Sequence, residues 1–149
     1  MATMWKAFLA MPTILRFLTA AGFCVCLMVV STFFPFSPVR ILGRPVSELD
    51  WWGSGAGYSM VIVAGLFGSS GVMMLRRSHH ARLAHLVAWI ALNISVPYVA
   101  GVTGAGVASV SKTSVLANAL VTMAIALYLY LGRGTRNYFR SADAHGQGA

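Results

Sequence analysis

The chain has 149 residues, 58% of them hydrophobic and only 9% charged, with a formal net charge of +8 and a mean hydropathy of +0.74. A soluble domain carries roughly 25% charged residues, and the fourteen Asp, Glu, Lys and Arg side chains here are too few to cover one. Soluble classes are therefore excluded. The positive charges sit at the ends of apolar segments, which points to membrane topology and anionic headgroups rather than to nucleic acid.

In residues 1–11, Met4, Trp5, Phe8 and Leu9 share one helical face and Lys6 lies off it. The pattern predicts a short interfacial helix, with Pro12 suited to the first turn of the next helix. A first span follows over residues 14–34. Lys6 and Arg16 before it resemble the start of a signal peptide, but no A-x-A pattern follows, so an uncleaved anchor is expected. Cys24 and Cys26 lie roughly 200° apart on a helix, so they read as packing residues and not as a redox pair.

Residues 34–57 form the longest polar connection, broken by Pro35, Pro38 and Pro45. Arg40 and Arg44 balance Glu48 and Asp50, a set read as salt-bridged structure and not as catalytic carboxylates. A short interfacial helix is expected over residues 45–52, with Pro45 in its first turn and Val46, Leu49 and Trp52 along one face. Trp51 and Trp52 read as interfacial anchors, and Gly53, Gly55 and Gly57 loosen the entry to the second span, residues 58–75. In that span Gly65, Gly68 and Gly71 recur every third residue, and Ala64 with Gly68 makes a small-xxx-small pair. Small residues let helices approach closely in lipid, so these four mark a packing surface.

The segment Arg76-Arg77-Ser78-His79-His80-Ala81-Arg82 divides the chain into two halves. Arg76, Arg77 and Arg82 read as topology signals and as candidates to bind lipid headgroups or an acidic partner. His79, His80 and His85 are the metal candidates, but H-H-x₄-H fits no common zinc spacing. The arginines would also repel a cation, so no metal and no cofactor is expected.

The third span, residues 83–102, contains Asn93, Ser95 and Pro97. Pro97 has no amide hydrogen, so the carbonyl of Asn93 loses its helical partner. Unpaired polar groups in hydrocarbon cost about several kcal/mol, so this midpoint should face the bundle interior. Residues 103–113 are Gly- and Ser-rich, with Gly104, Gly106, Ser109, Ser111 and Lys112. In the fourth span, residues 114–132, Asn118 and Thr122 form a polar stripe able to pair with Asn93. Tyr128 and Tyr130 lie near its end, Arg133, Arg136 and Arg140 follow, and residues 141–149 read as a disordered cytoplasmic tail.

The expected fold is an all-α integral membrane protein. Its single domain, residues 1–140, has four transmembrane helices as two hairpins, with a short interfacial helix in the first outer loop. Lys6, Arg16, Arg76, Arg77, Arg82, Arg133, Arg136 and Arg140 fall on one side; Arg40, Arg44 and Lys112 fall on the other. That asymmetry predicts cytoplasmic termini and a multi-pass protein of a bacterial inner membrane.

No Asp, Glu or Lys interrupts the spans, no nucleophile elbow, P-loop or HExxH occurs, and His85 has no evident intramembrane partner for holding a haem. The expectation is a protein that is not an enzyme: a non-catalytic accessory or scaffold subunit of a membrane complex. Its partners would be the bilayer and other membrane subunits or a second copy, and not nucleic acid. The alternative is an oligomeric transporter or channel for a neutral or weakly polar solute, with its pathway at Asn93, Pro97, Asn118 and Thr122.

Overall fold

The computed structural model of the chain describes residues 2–34, 39–41, 44–104 and 112–146. Pro35, Pro38, Gly106, Ser109 and Ser111 lie outside the described residues. Seven helices and one small hairpin are seen among the described residues: α1 (Ala2–Ala10), α2 (Thr13–Ser31), β1 (Arg40–Ile41), β2 (Arg44–Pro45), α3 (Glu48–Gly53), α4 (Ala56–Leu75), α5 (Ala81–Val102), α6 (Lys112–Leu131) and α7 (Arg133–Gly146). Four of them, α2, α4, α5 and all but the first residue of α6, are long and apolar enough to cross a membrane.

Helix α4 is the centre of the bundle. It packs on α2 along one side and on α5 along the other, while α6 leans on α5. On the α2 side, close approach depends on small residues. A Cβ at Gly71 would stand 3.0 Å from the Phe23 ring, one at Gly22 would stand 3.1 Å from Phe67, and one at Gly68 would stand 3.4 Å from the Cys26 sulfur. The Cys26 thiol donates to the Ala64 carbonyl at 3.0 Å. Ala64, Gly68 and Gly71 therefore serve the α2–α4 seam, whereas Gly65 is exposed with open space beside it. The drift of an α-helix by 100° per residue puts Gly65 off the seam.

Helix α2 ends at Ser31, three residues before the expected limit. Residues 32–34 close as turns, with Thr32 N–H on the Val29 carbonyl at 3.0 Å and Phe34 N–H on the Ser31 carbonyl at 3.2 Å. The connection beyond holds an antiparallel hairpin that periodicity does not suggest, pairing Arg40 with Pro45 and Ile41 with Arg44. Pro45 thus belongs to a strand and not to the first turn of a helix. The helix begins three residues later because Ser47 caps it. The Ser47 Oγ accepts the Asp50 N–H at 3.0 Å and its hydroxyl donates to the Asp50 carboxylate at 2.6 Å. Asp50 closes this cap and, with Glu48, lies in the first turn, where negative charge suits the helix dipole.

The late start also changes which face turns inward. Leu49 is 83% exposed, and Trp51 is only 4% exposed, packed with Ala56 and Val99. Trp52 is half-buried between Phe33 and Tyr58, at ring distances of 5.1 and 5.5 Å. Gly57 is what admits the indoles: a Cβ there would fall 2.5 Å from Trp52 Cε3 and 2.9 Å from Trp51 Nε1. It is a site of close approach and not a loosening element.

At the other end, α4 stops in a Schellman motif. The Arg77 N–H bonds the Met74 carbonyl at 3.1 Å and the Ser78 N–H bonds the Met73 carbonyl at 3.0 Å. Arg77 occupies the left-handed position, φ 55°, that glycine normally takes. Its side chain explains the departure, because the guanidinium lies 4.7 Å from the Tyr138 ring centroid on α7. Arg82 similarly lies 5.0 Å from the Phe139 ring and 5.7 Å from that of Tyr130. Tyr138 and Phe139 are buried with Met11, Leu15, Met74, Ala81, Ile125 and Leu129. Helix α7 continues through residue 146, so the segment expected to be a disordered tail is helical over most of its length; residues 147–149 lie outside the described residues.

Candidate functional site

A half-open groove of about 990 Å³ is bounded by α2, α5 and α6 and by the hairpin. Its walls are mostly apolar: Met28 from α2, Leu86, Ile90 and Ile94 from α5, and Val115 and Met123 from α6. Polar groups converge at its middle. The Asn93 side-chain amide donates to the Thr122 hydroxyl at 2.8 Å and to the Trp89 carbonyl at 3.0 Å. Thr122 in turn donates to the Asn118 carbonyl at 2.9 Å. The Asn118 side chain also lines the groove, is exposed, and has no hydrogen-bond partner among the described residues. Asn93, Pro97, Asn118 and Thr122 are thus gathered on one cavity. Arg40, at the hairpin end, and Ser114 line it as well, and no sequence pattern marks either for this role.

The histidines are not gathered. His79 and His80 are exposed, their ring centroids 3.6 Å apart. His85 is fully buried. Among the described residues, no three His, Cys, Asp or Glu side chains are placed to share a metal ion. Arg77 and Arg82, candidates for headgroup binding, lie over the aromatic rings of α7, whereas Arg76, Arg133, Arg136 and Arg140 are exposed.

His85 is held by two hydrogen-bond partners, neither of them a haem ligand. The Trp89 indole N–H donates to His85 Nε2 at 3.1 Å, and His85 Nδ1 meets Ser70 Oγ at 3.1 Å. Because Nε2 accepts, the network assigns the ring proton to Nδ1, which donates to Ser70. The Ser70 hydroxyl passes its own hydrogen to the Phe67 carbonyl at 3.0 Å. Serine beside histidine suggests an activated nucleophile, but the polarity runs the other way. The histidine gives its proton to the serine and does not take one, and the serine is fully buried. The cluster is a satisfied polar staple between α4 and α5. Its sequence signal was slight: Trp89 stands at i+4 from His85, and Ser70 is one of many small residues in α4.

Among the described residues outside the spans, Tyr138 is a titratable group shifted by its surroundings. Burial pushes its phenol above the usual value, partly opposed by the neighbouring Arg77.

No family model, no curated protein and no solved structure matches the chain.

Proposed function

We propose that this is a non-catalytic multi-pass membrane protein that takes a mainly apolar, membrane-dissolved molecule into the groove between α2, α5 and α6, as a carrier or transporter for it. The observation that carries this reading is the groove itself. About 990 Å³ of mostly apolar space with a few convergent polar groups is the usual form of a small-molecule site. In hydrocarbon, the free Asn118 amide has a reason to seek a ligand group, since unsatisfied polar atoms there are costly. The eight-to-three distribution of Lys and Arg supports cytoplasmic termini and a bacterial inner membrane. In that orientation the hairpin end of the groove faces outward and exposed Trp5 and Leu9 lie at the cytoplasmic interface, α1 serving as the interfacial helix. The α2–α4 and α5–α6 pairs then form the two hairpins.

The test is extraction of the protein in mild detergent followed by native mass spectrometry. Wild type should carry a bound small molecule, and Ala119→Phe, which fills the groove from α6, should lose it. Wild type and variant that both emerge empty, from detergent and from nanodiscs alike, would overturn the proposal.

One observation favours the accessory-subunit reading beside it: α6 rests mainly on α5 and exposes most of its surface, including Leu116, Leu120 and Leu127. A partner subunit covering that face would co-purify in fixed ratio and be released by Leu116→Trp with Leu120→Trp. A protein that purifies alone under gentle conditions excludes it.

A further inference from the structure

The groove carries a positive charge at its hairpin end. Arg40, on β1, lines its hairpin end and is exposed. No ion-pair partner for it is found among the described residues: Asp50 is engaged by Ser47, and no acidic residue lines the groove. The hairpin holds Arg40 in place through the Val46 N–H bond to the Val39 carbonyl at 2.8 Å and through pairing with Pro45. Below it the α5 wall, apolar except for Asn93, runs from Ala100 to Leu86, fourteen residue steps. At about 1.5 Å per residue this is a slot roughly 21 Å long. An extended hydrocarbon chain of about sixteen carbons has the same reach, given carbon–carbon bonds of about 1.5 Å.

We propose that the groove binds a single-chain anionic amphiphile, with its carboxylate or phosphate on Arg40 and its tail lying along α5 past Asn93 and Ile90. The inference rests on the groove reading above and adds a head: the body of the ligand is apolar, its end anionic. Charge complementarity selects this occupant over a second copy of the chain. The protein has three acidic residues, and the two at the hairpin end, Glu48 and Asp50, both sit on α3 beside Arg40's own hairpin. A helix about 10 Å across entering from another protein would leave Arg40 without a counter-charge unless it brought an acid to that level.

The test uses full-length protein in nanodiscs and two probes of equal chain length, dibromostearic acid and dibromostearyl alcohol. Tryptophan quenching reports binding, because Trp51 lines the groove. The acid should bind about fivefold more tightly than the alcohol, the scale of one partly hydrated ion pair, and the ratio should shrink in high salt. Arg40→Gln should bring the two probes together, Arg40→Lys should keep part of the preference, and Arg44→Gln, on the same hairpin but outside the groove, should leave it intact. Hexadecyl phosphate should displace the acid and inorganic phosphate should not. Displacement by inorganic phosphate would make Arg40 a simple anion site and overturn the proposal. Equal binding of acid and alcohol to wild type, with Ala119→Phe blocking both, would remove the anionic head and leave the groove standing. Binding of both probes undisturbed by Ala119→Phe would remove the groove reading as well.

Discussion

Replacement of His85 by leucine should destabilise the bundle by about 2–4 kcal/mol, although leucine is apolar and the site is fully buried. Three terms make up that figure. The cross-helix bond to Ser70, 3.1 Å long, is worth about 0.6–1.7 kcal/mol in a membrane bundle. The Trp89 N–H, which now donates to Nε2, would be left in an apolar environment at about 1–3 kcal/mol. The edge-on contact with Phe67, ring centroids 5.6 Å apart, adds a smaller share that leucine partly replaces. Ser70 would not be orphaned, because its hydroxyl already bonds the Phe67 carbonyl. Combining His85→Leu with Trp89→Phe removes the orphaned donor, so the double variant should lose at least about 1 kcal/mol less than the sum of the two single losses. Reversible unfolding in mixed micelles of denaturing and non-ionic detergent measures all four members of the cycle. Additivity within about 0.5 kcal/mol would refute the bond from Trp89 to His85 within α5, and a His85→Leu protein as stable as wild type would refute the ring as a link between α4 and α5.

Gly57→Ala should cost about 1–3 kcal/mol through overpacking and shift tryptophan emission to the red, since its Cβ would displace Trp52 and Trp51; an unchanged spectrum and midpoint would count against close packing there. Arg77→Gly should be more stable than Arg77→Ala by about 1 kcal/mol, because only alanine retains the penalty of the left-handed φ, and equal unfolding midpoints would contradict this. The Asn93–Thr122 bond should appear in a double-mutant cycle with valine at both positions as a coupling of about 0.6–1.7 kcal/mol, and zero coupling would mean the two helices do not meet there. The Tyr138 phenol, raised by burial, has a folded value above its unfolded value of about 10. Stability from docking α7 should therefore be complete below about pH 10 and fall as pH rises through the folded value. A tyrosinate absorbance titration should show a late component that Tyr138→Phe lacks, and identical curve shapes would deny the burial.

The membrane class and the four long helices were legible in the sequence because both follow from quantities that are local and additive. A run of about twenty apolar residues crosses hydrocarbon whatever its neighbours do, and the ends of such runs are marked by arginines and loops. Asn93, Asn118 and Thr122 were likewise visible as a set, since a polar amide in an apolar helix draws attention without any coordinates. The cap at Ser47 is written in Ser47-Glu48-Leu49-Asp50, yet Pro45 and the spacing of Val46, Leu49 and Trp52 point to an earlier helix start. The proline alone cannot say whether it opens a helix or closes a strand.

Tertiary structure decided the pairings, because each depends on which helix comes within a few ångströms of which. Periodicity cannot tell that Gly71 and Gly68 meet α2 while Gly65 meets nothing, or that Arg77 and Arg82 spend their guanidinium groups on aromatic rings of α7. It cannot place Ser70 opposite His85, fifteen residues away across a turn, so the staple between the two helices is invisible in the sequence. The groove, too, is a property of the space between α2, α5 and α6. Single residues announce their cost in lipid, but the void they surround exists only once the helices have packed.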